Sequence, residues 1–219
     1  MTPSKILAAN EAVLRRKFPD AYFKIIETGD DMPINFTYDD SGETPKLMMV
    51  HGEFTFCPYG EKNPSRLIER WASNLNLTHE SLYSLSGLGD GSHARYLLEN
   101  SGTGINIMVV EKDPALLRET LARFDLSDIL ANDRFLLGTG EPNEQFFLPI
   151  QGAALTGVAE VNSIIFSPLH KSDEAYYDRI RNELAKQYLV IRPLMEVNVR
   201  TATNLQENTI RNLEHMFGA

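Results

Sequence analysis

Apolar residues recur at helical spacing near the start of the chain: Leu7, Leu14 and Phe18, with Ile6 and Val13 beside them. This spacing predicts a first helix over residues 3–18. Thr2 is suited to cap it, Pro3 suits its first turn, and Pro19-Asp20 ends it. Short β-type runs follow. Residues 22–27 form one, closed by the turn Gly29-Asp30-Asp31. Residues 34–38 alternate apolar and polar side chains and stop at Asp39-Asp40-Ser41-Gly42. Residues 47–50 and 53–57 flank His51-Gly52 and read as a hairpin. Residues 20–58 are therefore expected to form a small antiparallel sheet or meander. Asn63-Pro64 then opens a helix whose buried stripe is Leu67, Ile68 and Trp71.

From Ser81 the pattern changes. Leu82-Tyr83-Ser84-Leu85 is a short strand that runs straight into Gly87-Leu88-Gly89-Asp90-Gly91. Residues 92–100 read as a helix with Ala94, Leu97 and Leu98 inward. Residues 105–110 are almost continuously apolar, which marks a strand buried on both faces. Asp113 caps a further helix and Pro114 begins it, with Leu116, Leu117, Leu121 and Phe124 along its apolar side. Strands at 134–137 and 163–166 follow, separated by a polar, glycine-bearing stretch. Strands alternating with helices imply parallel pairing, so the fold class is α/β with a Rossmann-like, mostly parallel sheet. Residues 173–187 are helical. Residues 188–199 fit a helix kinked near Pro193 better than a strand over 188–191. Residues 204–217 form a last amphipathic helix with Leu205, Ile210, Leu213 and Met216. The domain boundaries expected from this pattern are 1–78 (helix, β appendage, linking helix), 79–200 (α/β domain) and 201–219 (terminal helix).

Composition narrows the class of protein. The 219 residues are 42% hydrophobic and 23% charged, as in a globular domain. The net charge of −9 disfavours nucleic acid and anionic lipid as partners. The single cysteine, Cys57, allows no internal disulfide. No apolar run approaches the roughly 18 residues of a membrane span, and the start lacks a signal-peptide core. A cytoplasmic location is expected.

The glycine turn carries the candidate chemistry. A strand, a glycine bend and a helix bring backbone amides and a positive dipole end to the carboxyl edge of a sheet. Glu111 stands about 20 residues after Gly91, at the end of the second strand, where an acid accepts hydrogen bonds from ribose hydroxyls. The candidate ligand-binding residues are Gly87, Leu88, Gly89, Asp90, Gly91 and Glu111. Glu141, after the third strand, lies on the same edge. Ser92 stands where a dinucleotide fingerprint needs a third glycine or alanine, which disfavours NAD. The glycine spacing is closer to the first motif of S-adenosylmethionine methyltransferases, although Leu85 takes the place of that motif's usual acid. His93 opens the helix behind the turn and His170 follows the fourth strand. None of His51, His79, His93, His170 and His215 falls in a metal-ligand spacing with cysteine or acids, and no metal is expected. Asp173-Glu174 reads as a helix start favoured by the dipole.

Residues 84–96, the string Val109-Val110-Glu111-Lys112-Asp113-Pro114, and Asp133-Arg134-Phe135 resemble the N-terminal Rossmann-like domain of the motility-associated factor (Maf) family. Those bacterial proteins are glycosyltransferase-like and linked to flagellin glycosylation. Residues 201–213 are similar to the helix that leads into that family's second domain. In the segment before the α/β unit, residues 56–64 keep a Tyr and a Pro but lose the family's His-Ser. The resemblance implies a nucleotide- or sugar-nucleotide-associated module that is not catalytic alone, working with a second domain or a protein acceptor. The rival readings are an S-adenosylmethionine-dependent methyltransferase and a non-catalytic interaction scaffold.

Overall fold

The structure is a computed structural model and describes residues 3–29, 32–60, 62–78, 80–155 and 160–217. Helix α1 (Pro3–Lys17) turns at Phe18 into α2 (Pro19–Glu27). Residues 22–27 were expected to be extended, and they are helical. Pro19 suits the first helical position, and Phe18, Ala21 and Ile25 are buried in the main core. Burial along one helical face overrides the strand preference of Tyr22, Phe23 and Ile26. Strands β1 (Phe36–Asp39), β2 (Lys46–His51) and β3 (Phe54–Phe56) form the expected antiparallel sheet, in that order. Gly52, at φ +61°, makes the hairpin turn. Asn63 caps α3 (Pro64–Ala72) by accepting from the Arg66 amide.

The second sheet is parallel, with order β6-β5-β4-β7: β4 is Ser81–Ser86, β5 Asn106–Glu111, β6 Phe135–Thr139 and β7 Glu160–Ile164. Strands β6 and β7 are shifted by about two residues from the expected 134–137 and 163–166, within the usual uncertainty of strand ends. Three helices join the first three strands: α4 (Ser92–Asn100), α5 (Pro114–Arg123) and α6 (Ser127–Ala131). Then α7 (Glu144–Leu155) precedes β7, and α8 (Ser167–His170) and α9 (Glu174–Phe217) follow it. The two-residue alternation of the strands divides the core. Tyr83, Leu85, Ile107, Val109, Phe135 and Leu137 pack under α1 to α6, while Leu82, Met108 and Val110 meet Phe146 of α7 and Tyr176, Tyr177, Ile180 and Leu184 of α9. Helices therefore cover both faces of the sheet, which accounts for the unbroken apolar run in β5.

The amino-terminal helices belong to the same core. Leu14 and Phe18 are buried beside Leu121, Leu126 and Phe135, and the Phe18 and Phe135 rings meet edge to face at 6.0 Å. Asn10, fully buried, ties α1 to the α5–α6 corner by donating to Leu121 O and Phe124 O and accepting from the Leu126 amide. Helix α9 passes through residues 188–199 and through Pro193 without a strand, and it includes the expected helix at 204–217. The side chains of Ile210, Leu213 and Met216 lie outside the described residues; Leu205 is exposed. Among the described residues, no helix is long and apolar enough to cross a membrane.

Candidate functional site

The turn after β4 has the backbone its sequence requires. Gly87, Gly89 and Gly91 have φ of +77°, +56° and +80°, a region that side-chain-bearing residues rarely enter. Glu111 lies at the end of β5 and points to this turn. Its Oε2 accepts the Leu88 amide at 3.0 Å and its Oε1 accepts the Asp113 amide at 3.2 Å. Burial raises its pKa from 4.5 to about 7, against the lowering effect of those two amide bonds. Order and spacing thus bring the glycine turn and the acid together.

The face that was expected to receive a ligand is filled by the protein's own side chains. A Cβ on Gly89 would lie 2.0 Å from Tyr59 Oη and 2.9 Å from Leu169 Cδ1, and one on Gly87 would lie 3.0 Å from Leu169 Cβ. On Gly91 it would meet Leu126 at 2.8 Å. Five amides of the turn and the helix start are also engaged. Gly87 N donates to Val110 O, Leu88 N to Glu111, Gly91 N to Leu88 O, Asp90 N to Tyr59 Oη and Ser92 N to Asp90 Oδ1. Asp90, held above its usual pKa by burial, thereby occupies the amino end of α4 where an anion would otherwise bind. Thr120 Oγ1 donates to Gly89 O.

Tyr59 is the residue that sequence reasoning missed. It sits in the segment between β3 and α3, is 1% exposed, and stacks on Phe166 at 5.2 Å. Its hydroxyl is 2.9 Å from His93 Nδ1, and His93 Nε2 is 3.1 Å from Gly87 O. His93 is therefore neither a solvent-facing residue nor a helix cap. It is fully buried, and desolvation lowers its pKa to about 4, so it is neutral. No spacing rule links position 59 to a turn some 30 residues on. Only the glycines' freedom from side chains hinted that another group comes close.

The remaining candidates are spread along the carboxyl edge. Glu141 is exposed and paired with Arg179 of α9 at 2.7 Å, and its carbonyl, like that of Thr139, accepts from Lys24 of α2. The Thr139 hydroxyl is buried with no hydrogen-bond partner among the described residues. Asp113 caps α5 by accepting from Ala115 and Leu116. His170 is buried with Nδ1 3.0 Å from Ser86 Oγ, close to Glu174 and Asp178. His79 lies outside the described residues. One open cavity lies away from the turn and another borders it. A groove of about 670 Å³ runs between β2–β3 and the α8–α9 corner, lined by Phe54, Phe56, Pro168, Lys171 and Glu174. A cavity of about 350 Å³ touches the outer side of the turn at Asp90 and Ser92.

The fold and its edge define an α/β protein with a four-stranded parallel sheet. Compared with protein-family models, curated proteins and solved structures, the chain matches none of them.

Proposed function

We propose that the chain is a Rossmann-like module of a glycosyltransferase-like protein of the Maf kind, linked to protein glycosylation and without catalysis of its own. The observation that carries this reading is the filled glycine turn. Glu111, the amides of Gly87, Leu88, Asp90 and Gly91, and the Ser92 amide at the amino end of α4 each have a partner inside the chain. A turn so satisfied serves as a structural joint, and the sugar-nucleotide chemistry belongs to whatever the module is attached to. The order β6-β5-β4-β7 and the resemblance at residues 84–96 and 109–114 support the Rossmann-like part.

A second reading, direct binding of a sugar nucleotide, is favoured by one feature. The Glu111 carboxylate already accepts one N–H from the turn, so it is placed to accept a ribose hydroxyl once Tyr59 moves aside. A thermal-shift panel separates the two. A ligand held at a hundred times its Kd adds about 2.7 kcal/mol, which for a protein of this size raises Tm by about 5–10 °C. The module reading expects no such rise with CMP-sugars, UDP-sugars or S-adenosylmethionine. A rise with a nucleotide sugar alone would replace it by the second reading. A rise with S-adenosylmethionine alone would turn the assignment to methyl transfer.

A further inference from the structure

A second group of polar side chains gathers at the end of β4, where β5 and β7 leave that strand on opposite sides. In open α/β sheets this crevice is where ligands bind. His170 closes α8, Glu174 opens α9, and Asp178 lies one turn further along α9. One ligand atom from each lies within 4.8 Å of the others. The imidazole is held in place: Ser86 Oγ is 3.0 Å from Nδ1, and the ring stacks on Tyr177 at 5.8 Å. His170 is 6% exposed, and its Nε2 faces Asp178 Oδ1 at 3.5 Å. Glu174 also lines the 670 Å³ groove, so the cluster borders solvent-accessible space.

We propose that His170 Nε2, Glu174 and Asp178 form a binding site for a divalent cation of the Mn²⁺ or Zn²⁺ class. One imidazole and two carboxylates suit these ions better than Mg²⁺, which prefers all-oxygen shells. Ligand atoms about 2.0–2.2 Å from one ion lie about 3–3.5 Å apart, and the His170–Asp178 pair already has that separation. Glu174 is exposed and closes the set by a change of rotamer. Ser86 plays the outer-shell part, accepting the Nδ1 proton so that Nε2 keeps its lone pair for the metal. Arg181 pairs with Asp178 at 3.2 Å and competes for it; both side chains are more than a third exposed, so the cation displaces a weak pair. Asp173 takes no part because it pairs with Lys112 and caps α9. Three protein ligands leave coordination positions next to the groove, where Lys171 and Ser172 stand.

The test uses the whole chain stripped with a chelator, then titrated with Mn²⁺ while the hydrated-ion EPR signal is followed, and with Zn²⁺ by calorimetry. The expected result is one ion per chain, with nitrogen coupling to bound Mn²⁺ in electron spin-echo spectra that disappears in His170→Gln. Glu174→Gln and Asp178→Asn each weaken binding at least about tenfold, and Ser86→Ala weakens it about 10–100-fold. Arg181→Ala strengthens it. The Glu174 variant decides the matter if a His170 variant fails to fold, since Glu174 is exposed. Absence of saturable binding by either ion, or binding by Glu174→Gln and Asp178→Asn within twofold of the parent, overturns the proposal.

Discussion

Tyr59 Oη lies 2.9 Å from His93 Nδ1 and occupies the space that a side chain on Gly89 would need. Gly89→Ala therefore combines a left-handed backbone, costing about 1–2 kcal/mol, with overpacking of about 1–3 kcal/mol. The expected loss is about 2–5 kcal/mol in urea denaturation. Gly60→Ala is the control. It has a similar φ of +78°, but the new Cβ meets only Leu67 at an ordinary 3.5 Å. It should lose the backbone part alone. Equal losses in the two variants would mean that Tyr59 does not fill the turn.

The same turn holds two buried groups whose titrations oppose each other. Glu111 has its pKa raised from 4.5 to about 7, so its stabilising contribution is complete below pH 4.5 and is lost as pH rises towards 7. His93 has its pKa lowered from 6.5 to about 4, so its contribution is complete above pH 6.5 and is lost as pH falls towards 4. Each has a limiting slope of about 1.4 kcal/mol per pH unit, and between pH 4.5 and 6.5 the two largely cancel. Glu111→Gln should lose stability on acidification relative to the parent, and His93→Gln should lose it on alkalinisation. Asp90, also raised by burial, has the same sign as Glu111 but is common to all three proteins, so differences between them isolate the pair. Parallel pH profiles for the three proteins would contradict this arrangement.

Asn10 makes its three hydrogen bonds to backbone groups of the α5–α6 corner, all in buried or partly buried surroundings. Asn10→Ala strands those groups, and each buried orphan costs about 1–3 kcal/mol. A loss of at least about 2 kcal/mol is expected, within a single transition seen by both circular dichroism and Trp71 fluorescence. A separate early transition that left the parallel sheet intact would show that α1 folds independently of it.

Much of the parallel sheet could be read from the sequence because its signals are local. The glycine turn, the apolar run of β5, the Asp113 cap and the helix at Ser92–Asn100 each announce themselves within ten residues or so. The antiparallel hairpin was legible for the same reason. Helix α2 was not, because Tyr22, Phe23 and Ile26 favour extended chain until Ala21 and Ile25 find the core. Helix α7 was hidden by Pro149 and Gly152, which look like breakers; packing of Phe146 against Gly138 and Met108 holds it in place. The turn's glycines and Glu111 were found, but not what occupies the bend, since Tyr59 and Leu169 reach it through long-range contacts that no periodicity records. The interval of four between His170, Glu174 and Asp178 is visible in the sequence. It was set aside on the finding that no histidine falls in a metal-ligand spacing, and only the packing of α8 against the start of α9 brings the three groups together.

Lys24 of α2 reaches over the sheet edge to Thr139 O and Glu141 O, and Arg118 of α5 returns a hydrogen bond to Thr28 O. With the Asn10 anchor, these links decide what counts as a portable piece of the protein. A graft that began at β4 would leave behind Leu14, Phe18, Ala21 and Ile25, and would present Leu121, Leu126 and Phe135 to water. Domain shuffling or fusion design has to carry the first two helices along with the parallel strands, because the smallest transplantable unit starts at α1.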